Sequence, residues 1–332
     1  MSREDLIQQI KHAKKQNATL PAIGMYNQTK VTQPAKQPYI QHSFVDWRDP
    51  HYLAYVLAQT QQNANTALIT IEPKGEPNGA KLLSDIQNGK HDRKLNEIAK
   101  ILKASPNPVY IRFAHEMELQ NLYAWGNQDP QLFVSAYKHT IDIIRKRAPS
   151  TQFVWAPAGN TGADAYYPGD DYVDIIGTTM LFDQYWYGNL TPTFNDIQAV
   201  RSWMLSYNKP VWIVEFGAGK ANQAQQQIVI DDALKSYKTY GYDSLIYLNM
   251  KDANIEGPDY RLSDINNFAD LFNPPKPKPA PVKKTKSPSA PTLQPEKQYP
   301  ESTQKNSCSS ANLWKIELET NPLHSFRSVT KC

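Results

Sequence analysis

The chain of 332 residues has 40% hydrophobic and 11% aromatic residues, with 36 Lys and Arg against 32 Asp and Glu. Ten of those basic and four of those acidic residues lie in 273–332. This leaves 26 against 28 in 1–272, so the body carries no basic signal for nucleic acid. No apolar run is long enough to cross a bilayer, and the two cysteines, Cys308 and Cys332, exclude a disulfide-stapled body.

The first thirty residues contain no apolar stretch of signal-peptide length. From there, short apolar runs bounded by turn residues recur at Ala22–Met25, Tyr39–Val45, Ala67–Ile71, Val109–Phe113, Gln152–Trp155, Val173–Gly177, Val211–Val214 and Ser244–Leu248. Eight strands are predicted. Between most of them lie amphipathic stretches such as Gln131–Arg147, whose Leu132, Phe133, Ala136, Tyr137, Thr140, Ile141 and Ile144 repeat at helical spacing. Near-continuous apolar strands alternating with such helices indicate a parallel sheet covered by helices. About 250 residues is the usual size of a (β/α)8 TIM barrel. A doubly wound sheet is the second reading, but no glycine-rich phosphate turn follows the first strand. Residues 1–272 are therefore read as one α/β barrel domain. Residues 273–307, rich in Pro, Lys and Ser, are read as a linker that buries too little apolar surface to fold. Residues 308–332 hold one strand-like stretch at Leu313–Leu318 and are expected to be poorly ordered.

In a parallel barrel the chemistry belongs at the C-terminal ends of the strands. The fourth strand ends in Arg112-Phe113-Ala114-His115-Glu116-Met117 and the seventh in Val214-Glu215-Phe216-Gly217. Residues 116 and 215 are 99 apart, and three barrel units of roughly 31 residues come to about 94. The two glutamates thus fit strand ends that face each other across the mouth, a placement suited to glycoside hydrolysis. Strand alternation predicts Arg112, Ala114 and Glu116 on one face, and Val211, Ile213 and Glu215 on another shared face, with Trp212 packed under a helix. An inward Arg112 is expected to keep the nucleophile ionised.

These residues resemble a known family. YIRFAHEM followed by Trp125, then KPVWIVEFG, is similar to clan A glycoside hydrolases and specifically to family 26, best known for endo-β-1,4-mannanases. Most of that clan has Asn before the acid/base Glu, whereas family 26 has His, here His115. ITIEP, FVWAPAGN and YYPGDDYVDIIG add to the match over about residues 20–272. The resemblance implies retaining hydrolysis by double displacement, with Glu116 as acid/base and Glu215 as nucleophile. It implies that His115 hydrogen-bonds the sugar or the nucleophile, that Arg112 positions carboxylates, and that Glu116 has a raised pKa. The chain departs from the family with Glu118-Leu119-Gln120-Asn121 in place of the usual Asn-Gly after His-Glu-Met. The family's tyrosine on strand six also lacks a clear counterpart, leaving Tyr185 and Tyr187 as candidates.

Sugar rings stack on aromatics, so Trp47, Trp125 and Trp186, at or after strand ends two, four and six, are candidate platforms. Tyr185 and Asn249, at the ends of strands six and eight, join them as candidate substrate-binding residues. Glu72 is read either as closing the cleft floor or as merely ending its strand. The expected partner is a polysaccharide or oligosaccharide, with β-1,4-mannan or a related β-glucan first and mixed-linkage β-glucan or β-1,3-xylan next. A non-catalytic glycan-binding barrel is the alternative of another class. No metal or organic cofactor, nucleic-acid partner or membrane span is expected, and the chain is read as a monomer. Such a substrate suggests action outside the cytoplasm.

Overall fold

The computed structural model describes residues 23–28, 40–62, 66–107, 109–187, 192–220, 223–252, 257–263 and 265. The chain divides into two units, Met1–Pro275 and Lys276–Cys332. The second unit, with the expected linker 273–307 and C-terminal segment 308–332, lies outside the described residues.

Eight strands close into a barrel in sequence order: β1 (Ile23–Asn27), β2 (Ile40–Asp46), β3 (Thr66–Glu72), β4 (Val109–Phe113), β5 (Gln152–Trp155), β6 (Ile175–Phe182), β7 (Val211–Ala218) and β8 (Ser244–Asn249). Each strand runs parallel to its neighbours, and β8 closes on β1 through five paired positions from Ile23 with Leu245 to Asn27 with Asn249. The expected TIM barrel is therefore the fold. Helices α1 (Pro50–Gln62), α2 (Gly79–Gln87), α3 (Asp92–Lys103), α4 (Pro130–Arg147), α5 (Gln184–Tyr187), α6 (Phe194–Arg201) and α7 (Gln223–Ser236) occupy the crossovers. Between β5 and β6 two 3-10 turns, Ala163–Tyr166 and Asp170–Tyr172, take the place of a helix. Among the described residues no helix is long and apolar enough to cross a membrane.

Local chemistry explains the elements. Helix α4 starts where the Asp129 carboxylate accepts from the Leu132 N–H at 2.8 Å, with Pro130 opening the first turn and Arg145, Lys146 and Arg147 in the last. Its buried face is Phe133, Ala136, Tyr137, Thr140, Ile141 and Ile144. The sixth strand begins later than its sequence pattern suggests. Asp174 stays in the preceding turn because its carboxylate accepts from the Phe153 N–H at 2.8 Å.

The apolar core has two parts. A large cluster lies between barrel and helices and includes Val211, Ile213 and Phe216. A small one joins Ile40, Leu68, Val154, Ala156, Ile175, Trp212, Val214 and Ile246. Six strands contribute to this second cluster, and side chains from that many strands can meet only inside the barrel. Trp212 thus fills the barrel floor, 4.8 Å from Tyr110 between ring centroids, and does not pack under a helix.

The seventh strand also departs from simple alternation. Thr178 pairs with Ile213 but Thr179 pairs with Glu215, leaving Val214 as an extra residue against β6. Against β8 the same step occurs between Ile213 and Phe216. This β-bulge reverses the face of everything after it. Val211 and Ile213 face the helices while Glu215 faces the barrel, so the shared face expected of the three does not form.

Candidate active site

Strand β4 stops at Phe113, and the chain then leaves it through two left-handed residues, Ala114 at φ 47° and Glu116 at φ 52°. Non-glycine residues seldom adopt this region, at a cost of order 1 kcal/mol each. Hydrogen bonds hold the turn from both sides: the Ala114 N–H donates to Ile71 O at 3.1 Å, and the Glu116 N–H donates to Ala156 O at 2.9 Å. Glu116 therefore reaches the interior by a clamped turn and not by strand alternation.

One guanidinium organises the mouth. Arg112 is wholly buried, and its Nη1 donates to Glu215 Oε1 and, at 3.3 Å, to Thr70 Oγ1. Its Nη2 lies 3.9 Å from Glu116 Oε1. Glu116 Oε1 also accepts from Thr179 Oγ1 at 2.5 Å, and its Oε2 accepts from the Tyr123 hydroxyl at 3.2 Å. Tyr123 lies 3.0 Å from His115 Nε2, and behind Thr70 stands His42 Nε2 at 2.8 Å. The two glutamates are thus bridged within a polar network fed by β2, β3, β4, β6 and β7. A third buried carboxylate, Glu72 at the end of β3, is paired with Lys74 at 2.8 Å.

Electrostatics follow from this burial. A fully buried cation needs an ionised partner, so at least one of the two glutamates must carry charge. Burial pushes the Glu215 carboxyl up to about 7; Arg112 pulls against this, and the charges of Glu116 and Glu72 add to the rise. The expectation that Arg112 simply keeps Glu215 ionised misses the larger effect of desolvation. Two carboxyl groups against one guanidinium share a proton as a unit. Burial, with Arg112 next, pushes both His115 and His42 far below the usual imidazole range, so both rings are neutral. Burial likewise raises Glu72.

The other sequence candidates divide sharply. Trp47 is 2% exposed; its indole N–H donates to Lys74 O at 2.7 Å, and Lys94 Nζ sits 4.1 Å from its ring centroid. Trp125 is 1% exposed, stacked on Tyr123 at 4.7 Å and 4°, and donates to His115 O at 2.8 Å. Neither ring has a face left for a sugar. Trp186 is 48% exposed and anchored by its N–H to the Tyr260 hydroxyl at 2.7 Å. Tyr185 is 51% exposed and meets Trp186 edge-on instead of reaching Glu215. His115 contacts Tyr123 and not the nucleophile candidate. Asn249 is buried between Asn27 and the backbone N–H of Leu262, where it joins β8 to β1 and a loop.

Sequence reasoning missed Tyr26, His42, Phe44, Thr70, Tyr123 and Thr179. Most were legible as inward positions: Thr70 stands level with Arg112 across β3 and β4, so alternate residues on β2 and β3 follow it inward. Tyr26 and Phe44 meet edge-on at 5.1 Å, each only partly buried, and Phe44 contacts His115 at 5.8 Å. Thr179 lay beyond the predicted end of the sixth strand. Glu118, part of the departure from the family pattern, accepts the N–H groups of Gly159 and Asn160 at 2.8 and 3.2 Å and so pins the β5 loop.

The fold is a closed (β/α)8 barrel whose mouth holds two buried glutamates on one arginine. The Glycosyl hydrolase family 26 profile matches residues 80–240, a stretch that holds both glutamates, and the family 26 resemblance read from the sequence is borne out. Endoglucanase H of Acetivibrio thermocellus is 28% identical over 232 residues, covering 62% of this chain and 24% of that protein. A β-1,3-xylanase of a Vibrio species is 23% identical over 140 residues, covering 40% of this chain and 28% of that protein. The chain thus spans only about a quarter of the length of these relatives. Among solved structures, a Bacillus subtilis mannanase superposes with a TM-score of 0.52 at 16% identity, covering 81% of this chain and 89% of that one. That likeness is one of fold.

Proposed function

We propose that this chain, which matches the family 26 profile, is a retaining endo-β-glycanase in which Glu116 is acid/base and Glu215 the nucleophile. The observation that carries the reading is the placement of both carboxyl groups on the single guanidinium of Arg112. Retention requires carboxyl groups about 5–5.5 Å apart, and sharing one cation supports such closeness. The shared proton suits the resting enzyme, which needs one carboxylic acid and one carboxylate. The direct contact of Arg112 with Glu215, against its 3.9 Å approach to Glu116, favours the proton on Glu116. In the first step Glu116 protonates the departing oxygen while Glu215 bonds to the anomeric carbon; in the second Glu116 takes a proton from the attacking water. This chemistry calls for no metal or organic cofactor.

Tyr26 and Phe44, partly exposed beside the network, offer the ring face that Trp47 and Trp125 do not. Trp186 and Tyr185 offer a second face on the β6 side. The substrate proposed is a β-linked glycan. The sequence relatives carry the names endoglucanase and β-1,3-xylanase, which brings β-glucan and β-1,3-xylan level with β-1,4-mannan.

The test is release of reducing sugar from mannan, lichenan, β-glucan and β-1,3-xylan. Release from one of them that vanishes in Glu215→Ala supports the reading. Binding to a glycan without release would identify a glycan-binding barrel instead.

A further inference from the structure

We propose that Tyr123 is the positioning residue that holds the Glu116 carboxyl by donating to its Oε2 and so favours the ionised form of the acid/base. This rests on Glu116 being the acid/base.

Tyr123 is fixed from three directions. Its ring lies flat on Trp125 at 4.7 Å and 4°. Trp125 is itself tied to the His115 backbone at 2.8 Å. The Tyr123 hydroxyl sits between His115 Nε2 at 3.0 Å and Glu116 Oε2 at 3.2 Å. Burial, together with the charges of Glu116, Glu215 and Glu72, keeps the phenol protonated far beyond neutral pH.

A phenol has one hydrogen to give, so the direction of the chain depends on the tautomer of His115. His115 Nδ1 is buried without a hydrogen-bond partner. An orphaned N–H is costlier to bury than an orphaned acceptor, so the proton belongs on Nε2. The chain then runs one way: His115 Nε2–H donates to the Tyr123 oxygen, and Tyr123 O–H donates to Glu116 Oε2. Both carboxylate oxygens of Glu116 are then acceptors, Oε2 from Tyr123 at 3.2 Å and Oε1 from Thr179 at 2.5 Å, with Arg112 Nη2 3.9 Å from Oε1. Tyr123 keeps its proton throughout.

The charged and titratable groups around Glu116 are Arg112 on β4, Glu215 on β7, and His115, Glu118 and Tyr123 in its own loop, with Glu72 on β3 acting on Tyr123 and Glu215. Of these only Tyr123 donates to Oε2. Removing its hydroxyl deprives the carboxylate of that hydrogen bond and lets Glu116 hold its proton to higher pH.

The experiment is a carbon-13 NMR titration of the Glu116 side-chain carboxyl in wild type, in Tyr123→Phe, and in protein carrying 3-fluorotyrosine at position 123. The expected result is a midpoint about one pH unit higher in Tyr123→Phe. The fluorinated residue, a stronger donor of the same shape, moves the midpoint the opposite way and serves even where Tyr123→Phe fails to fold. The alkaline limb of the kcat/KM profile moves with the midpoint in each variant. A Glu116 midpoint unmoved by both changes overturns the inference, whatever the protein does to a glycan. Failure of the glycanase assignment would appear separately, as absence of sugar release from every substrate.

Discussion

Val214 and Glu215 are neighbours in sequence yet both turn into the barrel, the first onto its apolar floor and the second onto Arg112. In a regular strand consecutive side chains point to opposite faces, and the bulge at Val214 is what removes that restriction. The space for it comes from β6. A Cβ on Gly177 would lie 2.7 Å from Ala156 Cβ and 3.0 Å from both methyl groups of Val214.

Gly177→Ala should therefore push Val214 out of place and carry Glu215 with it. The expected outcome is a stability loss of about 1–3 kcal/mol, the usual range for overpacking, together with a lower kcat. Urea denaturation and turnover on the best glycan check the two parts. Unchanged kcat in a destabilised variant would show that the bulge tolerates the shift.

Loss of Glu215 and loss of Glu116 should differ in a way that depends on the leaving group. Glu215→Ala abolishes turnover on every substrate. Glu116→Ala abolishes turnover on the polysaccharide but retains far more on an aryl glycoside whose leaving group departs without a proton. Steady-state rates on both substrate types, compared between the variants, decide this, and equal losses on the aryl glycoside contradict the assigned roles.

The tryptophans should separate cleanly. Trp186→Ala removes an exposed ring whose stacking on a sugar is worth about 1 kcal/mol, roughly fivefold in KM, with little change in stability. Trp125→Ala removes a buried ring under Tyr123 and His115 and should cost about 3–5 kcal/mol of stability. Thermal unfolding paired with KM measurements distinguishes a sugar platform from a core support.

The raised Glu215 carboxyl also makes stability depend on pH. Its ordinary value of 4.5 rises to about 7 in the folded protein; because Glu215 and Glu116 share one proton as a unit, the native pair holds between these values a proton that the unfolded chain has released. Stability from this source is complete below about pH 4.5 and is lost as pH rises through about 7, by at most about 3 kcal/mol. Denaturation of wild type and Glu215→Gln at pH 5 and pH 7 tests it. The wild type should lose stability relative to the variant between those two values, and a constant difference would count against the assignment.

Much of this was written locally. The eight apolar runs, the helical repeat in 130–147 and the 99-residue interval between Glu116 and Glu215 each reflect constraints that act within one strand, one helix or a run of similar units. The family motifs were legible for the same reason, being short and continuous. The burial of Trp47 and Trp125 was not, because an aromatic at a strand end reads the same whether it faces a sugar or a neighbouring helix. The faces of Trp212 and Glu215 escaped as well, since a bulge in β7 depends on a glycine in β6. The identity of the residues around Glu116 was hidden for a related reason. Thr179, Tyr123 and Arg112 come from separate stretches of chain, and only closing the barrel brings their polar groups to one carboxylate.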